Sequence, residues 1–371
     1  MTEQQPDVVV IGAGMAGLAC ARQLSKAGLK VLVLEKSPGL GGRLATRRVT
    51  DQHDHAWVLD HGVQYFSVDT DSFHRVLKEP LELGLVTEWT RTLHRLTPEG
   101  LQTPSVNSQD PRYICPDGMT ALAKYLAQSL TIQTQTRVTQ VQPLPEGWRI
   151  ESEEGFAVTT PALVMALPAP QIVPLLEGIL PPTSPLHPLL ESALYHPCLA
   201  ILAGYADTLS PPVWKGIRCE EDDILAWISL DSSKRANPTA PTLVIHTTPT
   251  FAAAHLEEDR TALQAVGQRV LTHAAIRLKT YWIEEPIWMQ VHRWRYSLPV
   301  EILGMSSLAA RIPVAGSDPQ ATLPLVCAGD WCAGARVEGA WVSGQDAADR
   351  LLEMLGSTTM PSRFSPLPSS G

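Results

Sequence analysis

Gly12, Gly14 and Gly17 follow the apolar run Val8-Val9-Val10-Ile11 at G-x-G-x-x-G spacing, and Glu35 closes a second apolar run, Val31-Leu32-Val33-Leu34. A run of β-branched residues reads as a buried parallel strand, which the glycines turn into a helix. One glycine permits the tight turn, one lets the backbone approach a pyrophosphate, and one lets the helix lie close to the strand. The helix start, Ala13-Gly14-Met15-Ala16, then offers unpaired N–H groups and a positive dipole end to phosphate. The carboxylate of Glu35, beside Lys36, is placed to accept ribose hydroxyls. This spacing predicts a dinucleotide site without separating a nicotinamide from a flavin dinucleotide.

The segment Gly41-Gly42-Arg43-Leu44-Ala45-Thr46 comes where a nicotinamide-binding domain would continue with its next helix. A glycine pair allows close backbone approach, and Arg43 supplies a planar, permanently charged fork for phosphate oxygens. A glycine fingerprint followed by G-G-R-x-x-T resembles the FAD-binding amine oxidases and their relatives. A later apolar run, Leu325-Val326-Cys327-Ala328, ends in Gly329-Asp330, a carboxylate at a strand end where open α/β sheets bind ligands. In flavoproteins of this kind such an Asp accepts from the ribityl chain. Glu338-Gly339-Ala340-Trp341 opens the last helix, and the resemblance points its N-terminus at the N1/C2 edge of the flavin, where its dipole favours negative charge. FAD is the expected cofactor, held from both ends of the chain.

The elements that must position these residues fit 371 residues with 44% hydrophobic content. Helical spacing predicts helices over 72–85 and 119–130, with alternating strands around 137–141, 148–151 and 156–160 and a buried strand over 163–167. A Pro-rich crossing over 168–197 leads to strands at 198–205, 224–230 and 242–247, a long helix over 259–278 and a final helix over 340–355. The expectation is an α/β, two-domain architecture (α+β in its second part). A Rossmann-type FAD-binding domain is interleaved with an antiparallel-sheet substrate domain, as in p-hydroxybenzoate hydroxylase and amine-oxidase-like flavoproteins. The FAD-binding domain is expected over 1–72, 112–170 and 312–356, the substrate domain over 73–111 and 171–311, and a disordered Ser/Pro-rich tail over 357–371.

A net charge of −9 argues against nucleic-acid partners. No run of eighteen apolar residues predicts a membrane span, and the N-terminal residues lack a basic region before an apolar one. Six cysteines without a C-x-x-C pair read as small core residues in a reducing, cytoplasmic setting. Neither they nor the eleven histidines show metal-ligand spacing, so no metal is expected. The composition leaves the oligomeric state open.

More specific strings lie between the two ends. Asp60-His61-Gly62-Val63-Gln64-Tyr65-Phe66 resembles the D-x-G-x-Q-Y segment that approaches the flavin in the renalase family. Pro116-Asp117-Gly118 resembles that family's P-x-G turn, and Arg137-Val138-Thr139-Gln140 its R-V-T-Q strand near the adenine. The run from Trp227 to Arg235, Val244-Ile245-His246-Thr247-Thr248 and Trp294-Arg295-Tyr296-Ser297 resemble its sheet strands. These matches run in order from Val8 to about Leu352. The departures are Val63, where a small residue is common, and Trp331 after the Gly-Asp pair.

The resemblance implies an oxidase that converts 2- and 6-dihydro isomers of NAD(P) to NAD(P)+ by hydride transfer to flavin N5, with O2 reduced to hydrogen peroxide. It places FAD against Gly12, Ala13, Gly14, Met15, Ala16, Gly17, Glu35, Lys36, Gly42, Arg43, Gln64, Tyr65, Val138, Gly329, Asp330, Gly339 and Ala340. Tyr65, Trp227 and His246 are the expected substrate-site residues. His246 would orient a carboxamide or phosphate; the alternative is a hydrogen-bonded core histidine. Arg293 and Arg295 are either positioning groups for an anionic dinucleotide or a solvated, salt-bridged face. Trp57, Trp288 and Trp341 line a pocket or sit in the core. No lysine can be assigned beside the flavin, since Lys215, Lys234 and Lys279 lie outside any motif that can be placed there. Two other readings remain, an amine oxidase or carotenoid-desaturase-like enzyme and a non-enzymatic flavin-binding module. A single fingerprint without C-x-x-C disfavours a disulfide reductase or an NADPH-dependent monooxygenase.

Overall fold

A computed structural model describes residues 5–50, 56–104, 110–181, 183–314 and 320–356. The fully buried strand Val8–Ile11 sits inside a six-stranded sheet. It pairs in parallel with Val31–Leu34 on one side and Ala162–Met165 on the other, so the strand order reverses beside it. Thr322–Cys327 extends the parallel set beyond Ala162–Met165, and Thr131–Gln133 extends it beyond Val31–Leu34. Leu308–Pro313 adds an antiparallel edge. The register aligns Ile11, Leu34, Met165 and Cys327, so Gly12, Glu35, Ala166 and the 328–330 segment emerge along one edge of the sheet. This is the switch point at which open α/β sheets take ligands.

One face of that sheet carries the helix Met15–Lys26, crossed by the last helix, Val337–Gly356. They meet so closely that a Cβ on Gly344 would lie 2.1 Å from the Ala16 carbonyl oxygen. The opposite face is covered by the three-stranded sheet Val138–Leu144, Gly147–Ser152 and Ala157–Thr160, where buried Trp148 donates to the Pro324 carbonyl at 3.0 Å.

The second, seven-stranded sheet runs Trp288–Pro299, Tyr195–Gly204, Thr242–Thr247, Leu225–Leu230, Gly216–Cys219, His94–Thr97 and Gly100–Gln102. It is antiparallel apart from the parallel pairing of Gly216–Cys219 with His94–Thr97. Period-2 alternation divides its faces. Leu199, Ile201, Ile228, Leu243 and Ile245 pack under the helix Arg260–Leu278, whose start is capped by the Asp259 carboxylate accepting the Thr261 and Ala262 N–H groups. The opposite face carries Ala200, Leu202 and Val244 against Trp57 and Leu59. Those two residues belong to an antiparallel ribbon, Thr46–Thr50 with Ala56–Asp60.

The α/β two-domain class is the observed architecture. Several boundaries differ from expectation. The helix predicted over 119–130 spans Thr120–Leu126 and ends before Ser129, which takes a positive φ of 67°. The strand predicted over 163–167 is Ala162–Met165, and the last helix begins at Val337. Among its described residues the Pro-rich crossing holds the short α-helices Ala169–Ile172 and Leu186–Ser192 and a 3-10 turn, Val173–Leu176. The tail over 357–371 lies outside the described residues.

Gly344→Ala should force the two crossing helices apart at a cost of about 1–3 kcal/mol, typical of an overpacked core. Thermal unfolding followed by far-UV circular dichroism should show a lower Tm with the native spectrum retained. An unchanged Tm would show that the helices do not meet there.

Candidate functional site

The glycine turn is built as the spacing demands. Gly12 adopts φ +103°, and a Cβ there would lie 2.5 Å from the Ala166 carbonyl oxygen. A Cβ on Gly17 would lie 1.9 Å from the Gly12 carbonyl oxygen. A Cβ on Gly14 would meet nothing within 4 Å, although its neighbours Ala13 and Met15 are buried. That combination of packed and open glycines is what a cradle for phosphate needs. Buried Glu35 braces the turn, its carboxylate accepting the Ala13 N–H at 2.9 Å and the Ser37 N–H at 2.8 Å. Each oxygen keeps a lone pair for a sugar hydroxyl. The Thr136 N–H donates to the Glu35 carbonyl at 2.9 Å and carries Val138 alongside, while Lys36 is exposed next to Gln171. The Gly41 N–H donates to the Ala13 carbonyl, which brings Gly42 against Gly14.

Arg43 and Asp330, expected to hold phosphates and the ribityl chain separately, meet each other. The guanidinium donates to both Asp330 oxygens, at 2.6 and 2.7 Å, and to the Ser297 carbonyl at 3.1 Å. Burial alone would lower the Arg43 pKa, but the ion pair with Asp330 raises it overall. The Tyr195 hydroxyl also donates to Asp330, at 3.3 Å. The Arg43 fork is therefore held by a carboxylate within the protein, while the Asp330 oxygens keep acceptor capacity. Gly329 is anchored by its N–H on the Ser343 hydroxyl at 2.9 Å, and the Trp331 indole is buried with its N–H on the Leu167 carbonyl.

At the start of the last helix, the Glu338 carboxylate accepts the Asp69 and Thr70 N–H groups, both at 2.7 Å. The expectation for Ala340 is corrected in one respect, because its N–H already donates to the Arg336 carbonyl at 3.1 Å. The free donors of that first turn belong to the residues before it, Gly339 among them. A Cβ on Gly339 would lie 2.1 Å from the Gly334 carbonyl oxygen.

The sheet face turned toward segment 61–66 carries Trp227, His246, His292 and Trp294. Trp227 stands opposite His246, His246 opposite Ala200, and Ala200 opposite His292. His246 Nε2 lies 3.1 Å from the His61 carbonyl, which also accepts the Trp294 indole N–H at 2.9 Å. Tyr65 packs on Trp227 with ring centroids 5.6 Å apart. Gly62 passes under this layer, where a Cβ would lie 2.1 Å from the Arg43 carbonyl oxygen and 3.2 Å from the Trp294 ring. Thus Tyr65 packs on Trp227, and His246 stands beside Trp227 on the adjacent strand.

All three histidines are held neutral. Burial is the largest cause in each case. It pushes His61 down to about 3, helped by His292 and Arg47, and pushes His246 and His292 down to about 4.

Below this layer lies a charge cluster that sequence reasoning missed. The side chains of Asp60, Asp231 and Lys234 are fully buried and that of Arg235 nearly so. Lys234 Nζ lies 2.7 Å from Asp231, and Arg235 Nη2 lies 2.7 Å from both carboxylates. Burial would raise the Asp231 pKa, yet Lys234 and Arg235 hold it below the usual range. Lys234 also donates to Gln64 Oε1 at 3.1 Å, as does the Ser229 hydroxyl at 2.8 Å. Gln64 Nε2 donates to the Asp60 and Gly62 carbonyls. Every side-chain hydrogen-bonding position of Gln64 is engaged within the protein, so the amide shapes the loop, and a contact with FAD would fall to its backbone.

Alternation places Arg293 and Arg295 on the other side of their strand. Arg293 donates to the Leu256 and Glu258 carbonyls, and Arg295 pairs with exposed Glu257. They form the salt-bridged face, not a dinucleotide clamp. Trp57 is a core residue, and Trp341 packs on Phe73 beside a 440 Å³ recess behind the last helix. All six cysteines are free thiols. Among the described residues no His/Cys/Asp/Glu group is arranged to hold a metal, and no helix is long and apolar enough to cross a membrane.

Residues 10–80 match the family profile of the NAD(P)-binding Rossmann-like domain. Residues 105–352 match that of flavin containing amine oxidoreductases. The chain belongs to the flavin containing amine oxidoreductase family. FAD is the cofactor of this family of oxidoreductases.

Among curated members, the putative flavin-containing monoamine oxidase AofH of Mycobacterium tuberculosis is 58% identical over 81 residues, covering 22% of this chain and 16% of that protein. The probable polyamine oxidase 4 of Arabidopsis thaliana is 57% identical over 42 residues, covering 11% and 8%. The chain thus matches less than a fifth of the length of these relatives. Putrescine oxidase shares the fold at TM-score 0.67 and 16% identity, covering 94% of this chain and 99% of that one. So does cyclohexylamine oxidase from Brevibacterium oxydans, at TM-score 0.67 and 14% identity over 95% and 100%.

The neutral histidines give a signed pH dependence. Between the ordinary value of 6.5 and about 4, the unfolded chain takes up protons that His246 and His292 refuse when folded. Their contribution to stability is complete above 6.5 and declines as the pH falls, by about 1.4 kcal/mol per pH unit for each histidine. Urea unfolding from pH 7 to 4.5 should show this slope, and His292→Gln should reduce it. Equal slopes in the two proteins would contradict the assignment.

Proposed function

We propose that the chain is a FAD-dependent oxidase of the renalase kind. It oxidises the 2- and 6-dihydro isomers of NAD(P) to NAD(P)+, with O2 and a proton consumed and hydrogen peroxide formed. The observation that carries this reading is the uncharged character of the layer formed by Trp227, His246, His292 and Trp294. Its histidines are neutral, and the nearby carboxylates Asp60 and Asp231 are neutralised by Lys234 and Arg235. A cationic amine finds no free carboxylate on this face among the described residues, whereas a flat, neutral dihydropyridine ring finds aromatic walls and neutral polar groups.

The residues present fit FAD. Gly14 leaves open space at the head of a helix, Glu35 offers acceptors at the end of the neighbouring strand, and Asp330 offers acceptors at the third. In this reading Gly12 to Gly17 and Gly42 hold the pyrophosphate, Glu35 the ribose, Val138 lies near the adenine, and Asp330 meets the ribityl chain. Bound FAD supplies the two-electron acceptor. The chain's own residues then orient and enclose the substrate: Tyr65 and Trp227 exclude water, and His246 holds the ring in register. Placement supplies most of the rate in such a transfer, and no acid or base is required of these side chains. The FAD-binding part comprises 1–72, 112–170 and 312–356 and the substrate part 73–111 and 171–311, in a cytoplasmic protein. The family match keeps amine oxidation as the second reading.

The two readings separate in one anaerobic experiment on the yellow holoprotein. The flavin absorbance should bleach within seconds on adding 2- or 6-dihydroNAD(P), and should persist with putrescine, other amines or ordinary NADPH. Bleaching by an amine alone would transfer the protein to the second reading.

A further inference from the structure

We propose that Trp227 Nε1–H and His246 Nδ1 form a donor–acceptor pair that reads a primary carboxamide on the substrate, an assignment that rests on the dihydropyridine reading above. The Lys234 ammonium only donates, so the Gln64 atom facing it at 3.1 Å is the carbonyl oxygen, which also accepts from Ser229. The Gln64 amide nitrogen then carries both hydrogens toward the Asp60 and Gly62 carbonyls. Its 3.5 Å approach to His246 Nε2 supplies no further donor.

The His61 carbonyl only accepts, and it takes two donors, Trp294 Nε1 at 2.9 Å and His246 Nε2 at 3.1 Å. His246 Nε2 therefore carries the proton. A neutral imidazole has one, so Nδ1 presents a bare lone pair. No described residue hydrogen-bonds to that Nδ1. On the neighbouring strand, directly opposite in register, buried Trp227 Nε1 is a donor without a partner. Buried polar atoms left this way are rare and call for a partner.

One unmatched donor and one unmatched acceptor on adjacent strands describe a ligand that brings both an acceptor and a donor to this face. A primary carboxamide has a carbonyl for the indole N–H and an amide N–H for Nδ1. A carboxylate has acceptors only and would face the lone pair of Nδ1, while an ammonium has donors only and would leave the indole unpaired. A site of this kind rejects the mismatched analogue strongly, because its own groups are then left unpaired.

The test uses the FAD-loaded protein and two oxidised ligands that differ only at this group, nicotinamide mononucleotide and nicotinic acid mononucleotide. Each is titrated at pH 7.5 while the flavin absorbance is followed. The carboxamide should bind at least about tenfold more tightly, and His246→Phe should remove most of the difference. Equal affinities, or tighter binding of the acid, would overturn the carboxamide assignment even if the dihydro isomers still bleach the flavin. Absence of both binding and bleaching would overturn the substrate reading and this assignment together.

Discussion

Two carboxylates and two cations buried against one another hold the site in place. Asp60 comes from the ribbon that follows the dinucleotide turn, and Asp231, Lys234 and Arg235 come from the short helical turn after the strand Leu225–Leu230. Removing four charges from water is costly, and a buried ion pair contributes little net stability over an apolar one. What it does contribute is geometry. With two negative and two positive groups the cluster is balanced, and losing one member would leave its partner charged and unpaired. Lys234 then passes this order to Gln64, whose amide pins the 60–62 backbone, and the His61 carbonyl orients His246 and Trp294. An electrostatic constraint thereby sets which atoms of a neutral surface donate and which accept.

A second constraint joins the two ends of the chain. Arg43 and Asp330 are 287 positions apart, yet they form a bidentate pair, because the Gly41 N–H ties the 41–43 segment to the glycine turn at the same sheet edge where the strand Thr322–Cys327 ends. The close crossing at Gly344 and the bracing of segment 69–70 by Glu338 bring the last helix to the same edge. The dinucleotide edge and the neutral aromatic face meet at segment 61–66, where Gly62 is squeezed between the Arg43 backbone and Trp294.

Much of this was legible because it obeys local rules. The G-x-G-x-x-G turn, the buried strands on either side of it and the alternation around Trp227 and His246 depend on steric and periodic demands that each residue satisfies near its own position. The missed features depend on partners far away in sequence. Lys234 and Arg235 sit in a Ser-rich turn with no local cue to burial, and only the arrival of Asp60 from another part of the chain makes them core residues. Arg43 reads as a cationic fork after a glycine pair and Asp330 as a carboxylate at a strand end, but neither sequence segment indicates the other. Arg293 and Arg295 could have been assigned from alternation alone, since Trp294 between them must face the opposite way. The Ala340 N–H differed because the helix begins at Val337, and its first free donors shift with that start.

The central claim is that this protein, a member of the flavin containing amine oxidoreductase family, presents a neutral, proton-ordered surface whose polarity is set by buried charges. The most direct measurement is the 15N NMR spectrum of the histidine side chains in the FAD-loaded protein, with His246 assigned by its loss in His246→Gln. The account predicts a neutral imidazole protonated on Nε2, with a bare Nδ1, unchanged from pH 8 down to 5.5. An imidazolium in that range, or a neutral ring protonated on Nδ1, would contradict it.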